Sequence, residues 1–128
     1  MTSRYFDVNV FVYYLTGDRT NGQRAKYWLA NTVEKYTSSI TPLFVILVLS
    51  KVLGRSLRDH EFAKSVVDAL DSLGIEYLDL PPWDKITGVM KMYKLDLEDS
   101  IHVATAVENK LELVSNDEEL KSKVKAVF

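Results

Sequence analysis

Cysteine is absent from the 128-residue chain. That excludes disulfide staples and thiolate-held metals, and it suits a reducing compartment. Also missing is any apolar run long enough to span a bilayer: the longest, Leu43 to Leu49, leads straight into Ser50 and Lys51. A soluble protein without a membrane segment is expected. The opening Met1-Thr2-Ser3-Arg4 lacks the basic and extended apolar regions of a secretory leader, so the expected location is the cytoplasm. Nor is there an excess of positive charge. With a formal net charge of −2 the chain exerts no global pull on a polyanion, and any nucleic-acid binding must come from a local basic patch or from bound metal. No repeat, low-complexity tract or linker interrupts the sequence. A hydrophobic content of 47% supplies one core, and residues 1–128 are read as a single domain.

Apolar periodicity switches repeatedly between short runs and helical spacing, which predicts an α/β fold. Ser3 to Phe6 reads as a first strand and Gln23 to Lys35 as a helix with Trp28, Leu29 and Val33 inward. Tyr36 to Ile40 reads as a short second strand. Leu43 to Leu53 is apolar nearly all round and is expected to be a buried helix closed by Gly54. Asp59 is expected to cap a helix with an apolar face of Phe62, Val66, Val67, Leu70 and Leu73. Ile75 to Leu80 follows as a strand. Pro81-Pro82 then stops that strand and starts a helix from Trp83 to Tyr93, and Asp96 caps the next one. Late strands are expected at Leu111 to Val114 and Val124 to Val127, with a short helix over Glu118 to Lys121 between them.

Three acids stand out against this pattern. Asp7 and Asp117 follow apolar strands, and Asp99 falls in the first turn of the apolar helix that Asp96 caps. In an open parallel sheet the functional crevice lies beyond the carboxyl ends of the strands. Each acid also has an ordinary structural explanation: Asp99 as a first-turn acid that suits the helix dipole, Asp117 as a turn residue. For Asp7, directly after Tyr5-Phe6 in a core strand, such an explanation is weakest. Taken jointly, carboxylates at strand ends with no histidine or cysteine cluster are the ligand set of a hard divalent cation. His102 shares a helix face with Asp99 but, on an apolar helix, reads as a packed side chain. His60 reads as a surface residue.

The segments Phe6-Asp7-Val8-Asn9-Val10, Asp99-Ser100-Ile101-His102-Val103-Ala104-Thr105-Ala106 and Val114-Ser115-Asn116-Asp117 resemble the PIN-domain family, and in size and layout the stand-alone VapC-type toxins of toxin–antitoxin pairs. The resemblance covers nearly the whole chain. It implies a mostly parallel sheet of four to five strands with helices on both faces, and a pocket binding Mg²⁺ or Mn²⁺ through Asp7, Asp99 and Asp117. It also implies cleavage of RNA phosphodiester bonds, an antitoxin partner and a homodimer. Val10 to Leu15, whose β-branched and aromatic residues read locally as strand, becomes a helix by this resemblance, with Asn9 at its cap. Asn9 and Ser115 are candidates to hydrogen-bond the metal ligands. Lys51, Arg55 and Arg58 are weak candidates for the RNA backbone, with solvated surface charge as the competing explanation.

The chemistry requires such residues. A phosphodiester is already anionic, so a nucleophile must be generated near neutral pH and the added transition-state charge neutralised; a carboxylate-held divalent ion serves both needs. One departure from the family pattern bears on this. Family members usually carry a glutamate on the helix after the second strand, and here Phe44 occupies that register in a helix with no carboxylate. Two readings follow: a metal-dependent endoribonuclease of the VapBC type, or a catalytically degenerate PIN-like module that binds RNA or protein. A phosphotransfer domain is disfavoured. A haloacid-dehalogenase-type phosphatase needs an acid where this chain has Asn9, and a response regulator needs an aspartate where Ser38-Ser39-Ile40-Thr41 offers none.

Overall fold

A computed structural model describes residues 2–128; Met1, where the sequence reading begins its domain, lies outside them. In chain order the elements are β1 (Ser3–Phe6), α1 (Val8–Thr16), α2 (Gly22–Ala30), β2 (Glu34–Ser38), α3 (Thr41–Leu53), α4 (His60–Asp71), β3 (Ile75–Leu78), α5 (Trp83–Tyr93), α6 (Leu97–Glu108), β4 (Glu112–Val114) and α7 (Glu118–Val124). The strands form one sheet in the order β3-β2-β1-β4, and every pairing is parallel. Successive strand residues face opposite sides, so Phe6 enters a core with α1 to α4 while Tyr5 enters one with α5 to α7. Helices therefore cover both faces, as expected.

The strand order positions the site. From β1 the chain builds outward through β2 and β3, then crosses back to lay β4 on the other side of β1. The reversal falls between β1 and β4, and beyond their carboxyl ends lies the crevice that such sheets use for ligands. Asp7 and Asp117 follow those two strands.

Local signals set several boundaries. Asp59 caps α4 through the Phe62 amide at 3.0 Å, and Asp96 caps α6 through the Asp99 amide at 2.9 Å. Gly17 and Gly54 end α1 and α3 in the left-handed conformation that glycine adopts without a Cβ penalty.

Elsewhere the sequence-based expectations are corrected. α1 starts at Val8, and its cap is Asp7; Asn9 lies inside the helix, exposed. The β-branched run is helical because Val8, Val10, Phe11 and Val12 are all buried, which outweighs local propensity. α2 stops at Ala30, five residues before the expected end at Lys35. There Thr2 draws the chain into β2, its hydroxyl taking the Val33 amide at 3.0 Å and its carbonyl the Glu34 amide at 2.9 Å. Val33 consequently points outward, 64% exposed, and β2 begins at Glu34. α3 is not buried all round, since Leu43, Leu47, Val52 and Leu53 are exposed. β3 ends at Leu78. The expected last strand, Val124 to Val127, is reduced to a single bridge between Val127 and Val114, because α7 continues to Val124.

Candidate active site

Asp7 anchors the crevice. It is 5% exposed, and its Oδ1 accepts the Val8 amide at 2.7 Å while its Oδ2 accepts the Ser115 hydroxyl at 2.7 Å. The same Ser115 hydroxyl accepts the Asp117 amide at 3.1 Å. One buried serine thus ties the loop after β4 to the acid after β1. Asp117 in turn caps α7 through the Leu120 amide at 3.0 Å. Asp7 therefore has a structural job, capping α1, that its strand context did not reveal.

α6 brings the third acid. Ser100 through Ala106 are buried, so only the first turn of α6, with Glu98 and Asp99, is left at the mouth of the crevice. Asp99, Asp117 and Glu119 can each place one carboxylate oxygen within 4.8 Å of the others. Asp7 is set back from that trio, yet its charge is felt. The Asp99 carboxyl is pushed up to about 7, first by burial and then by the charges of Asp96, Asp7, Asp117 and Glu98. Glu98 is raised by burial, then by Asp7 and Asp96. Such crowding is unfavourable without a counter-ion, and a divalent cation reverses it. The oxygen-only outer trio fits a hard ion.

Glu119 was not among the candidates that the sequence suggested. Glu118 points away, its side chain 89% exposed and paired with Lys121 at 3.4 Å. The signal for Glu119 was its place in the first turn of the helix that Asp117 caps. Asn9 is exposed and apart from Asp7's hydrogen bonds. Nor does the fold gather the candidate basic residues. α3 leads away from the site, carrying Lys51 two helical turns past Phe44, and Arg55 is paired with Asp59 at 2.6 Å while Arg58 is exposed in the following loop.

Behind the acids sits His102, fully buried. Its Nδ1 lies 2.6 Å from the Tyr5 hydroxyl, and its Nε2 lies 3.8 Å from Asp7 Oδ1 without a hydrogen-bond partner. Burial pushes its pKa down, against the pull of Asp7 and Asp96. Phe44 packs edge-on against the imidazole at 6.2 Å between ring centres.

The crowding has a measurable consequence. An unfolded Asp99 ionises near 3.8 whereas the folded one holds its proton to about 7, so the contribution of Asp99 to the stability of the metal-free protein falls as pH rises between those values and levels off above them. Asp99→Asn should flatten this profile and raise stability at pH 8 by about 1 kcal/mol, discounted for partial exposure, or about 4 °C in Tm. Thermal melts in chelator across that range check it. A stability difference between Asp99→Asn and parent that does not grow from pH 4 to pH 8 contradicts the crowding.

A PIN domain model matches residues 4–126. The chain belongs to the PIN-domain family. Among solved structures it is similar to a toxin–antitoxin complex from Klebsiella pneumoniae, at 22% identity and a TM-score of 0.67 over 98% of this chain and 97% of that one. It is also similar to VapBC2 from Rickettsia felis bound to a DNA fragment from their promoter, at 17% identity and a TM-score of 0.70 over 98% and 96% of the two chains. PAE2754 from Pyrobaculum aerophilum has 20% identity and a TM-score of 0.70 over 99% and 88%. At these identities the likeness is one of fold. No curated protein matches the chain.

Proposed function

We propose that the protein is a divalent-metal-dependent endoribonuclease, the toxin of a VapBC-type pair acting in the cytoplasm. The observation that carries this reading is the crowding of Asp99 and Asp117 over the set-back Asp7 at the β1/β4 reversal, with Glu119, paired with Lys123 at 2.8 Å, beside them. Asp99 and Asp117 would hold Mg²⁺ or Mn²⁺, with Glu119 beside them and Asp7 reached directly or through water. When bound, the ion supplies a nucleophile at neutral pH and neutralises charge on the phosphodiester. The chain's own residues do the rest. Ser115 keeps the Asp7 carboxylate aimed, the capped ends of α6 and α7 fix Asp99 and Asp117, and the buried α6 keeps water from the inner side.

An antitoxin partner is supported by similarity to chains from toxin–antitoxin complexes. Pairing of two copies is supported by exposed apolar side chains on helices, Trp83 and Met92 on α5 and Leu43 and Leu47 on α3. Among the described residues no helix is long and apolar enough to cross a membrane. Cleavage of a structured RNA is the direct test. It is expected with Mn²⁺ or Mg²⁺ and abolished by chelator. A second reading rests on Phe44, which puts an aromatic ring where the family glutamate is expected: RNA bound without cleavage under any divalent ion would favour the degenerate module and overturn the nuclease.

A further inference from the structure

We propose that His102 is a metal ligand, its Nε2 supplying a nitrogen donor beside Asp7 on the inner side of the crevice, where α3 offers no carboxylate. The inference rests on the metal-binding reading above and adds a donor of a different chemical kind.

The starting point is an orphan. His102 has no solvent exposure, and its Nε2 finds no hydrogen-bond partner. A buried polar atom left unpaired is destabilising, and such exceptions call for a physical explanation. Nε2 faces Asp7, the inner acid, and is not part of the outer trio of Asp99, Asp117 and Glu119. It lies 3.8 Å from Asp7 Oδ1, too far for a hydrogen bond. Two donors on one ion, each about 2.1 Å from it, are separated by ~3 Å at a right angle and ~4 Å when opposed. The observed gap falls between those limits. His102 also shares the α6 face of Asp99, one turn further in, so a single helix presents a carboxylate and an imidazole to the same crevice.

Ligation requires the Nε2 lone pair to face the ion, so Nδ1 must carry the proton. The surroundings permit this. Nδ1 faces the Tyr5 hydroxyl at 2.6 Å, and that hydroxyl lies against those of Thr37 and Thr41. Thr37 and Thr41 hydrogen-bond each other at 2.7 Å, and Thr37 donates to the Phe6 carbonyl at 2.8 Å. Thr37 donates to that carbonyl, which leaves Thr41 to donate to Thr37, and the Tyr5 oxygen is free to accept the proton on Nδ1. A metal-binding histidine typically donates its other ring N–H to a fixed acceptor in this way. Phe44 packs against the ring and supplies no competing donor.

A nitrogen donor among oxygens favours Mn²⁺ over Mg²⁺, since imidazole suits transition metals. The test is electron spin-echo spectroscopy of the Mn²⁺ complex, with calorimetry to establish binding. Histidine ¹⁴N modulation is expected, replaced by the ¹⁵N pattern when histidine is labelled; this needs no variant. His60, exposed on α4, is the chain's other histidine, so His60→Gln should retain the modulation. His102→Leu should lose it and bind Mn²⁺ about tenfold more weakly. Bound Mn²⁺ without histidine modulation overturns the inference and leaves the carboxylate site standing. Modulation that survives His102→Leu also overturns it. Failure of the parent to bind Mn²⁺ removes this inference together with the metal-dependent reading.

Discussion

Asp7→Asn is expected to reduce the proposed divalent-dependent RNA cleavage by about 10²–10³-fold while the protein stays folded, the scale expected when one charged contributor to transition-state stabilisation is lost. The asparagine is chosen because its carbonyl can still cap α1 at Val8 while its NH2, in the place of Oδ2, can donate to the Ser115 oxygen, so the change removes the charge and reverses one hydrogen bond. Stability should shift by less than about 1 kcal/mol. Single-turnover cleavage alongside urea unfolding separates the two effects. Asp117→Asn should behave similarly, since its side chain also combines a cap with a place at the crevice. If either variant cleaves like the parent, that acid serves only as a helix cap.

The second large effect is expected at Phe44. Its ring is half-buried, packs against the core on the α1 to α4 side and meets His102 edge-on. Phe44→Glu would bring a carboxylate to the inner edge of the acid cluster, where added negative charge strengthens attraction for a cation. Mn²⁺ affinity should rise about tenfold, with ~1–3 kcal/mol of stability lost as core contacts disappear. Calorimetry and urea unfolding read both. In the His102→Leu background the new carboxylate should restore most of the lost affinity, because both side chains serve the same side of the ion. Unchanged affinity in a folded Phe44→Glu protein would show that this position does not reach the site.

Much of the candidate site was legible because its anchors depend on short stretches of chain. Asp7, Asp99 and Asp117 each begin or sit in the first turn of a helix next to an apolar run. Ser115 was visible as a polar residue two before Asp117. The cap of α1 was misplaced at Asn9 because the run from Val8 to Tyr14 has the local preferences of a strand, which hides where the helix begins. Lys51, Arg55 and Arg58 drew attention through charge alone, and charge does not say which end of α3 faces the acids.

The sequence by itself determined the α/β alternation, the capped starts of α4 and α6, the full span of α5 and the identity of three acids at element boundaries. These follow from periodicity, proline and side-chain caps, which act over a few residues. Only the tertiary structure decided that α1 is helical, that Glu119 joins Asp99 and Asp117, and that His102 of α6 meets Tyr5 of β1 and Phe44 of α3 behind Asp7. Those outcomes depend on β4 returning to the far side of β1 and on helices closing over both faces of the sheet, so that burial and like-charge crowding arise between residues nearly a hundred positions apart.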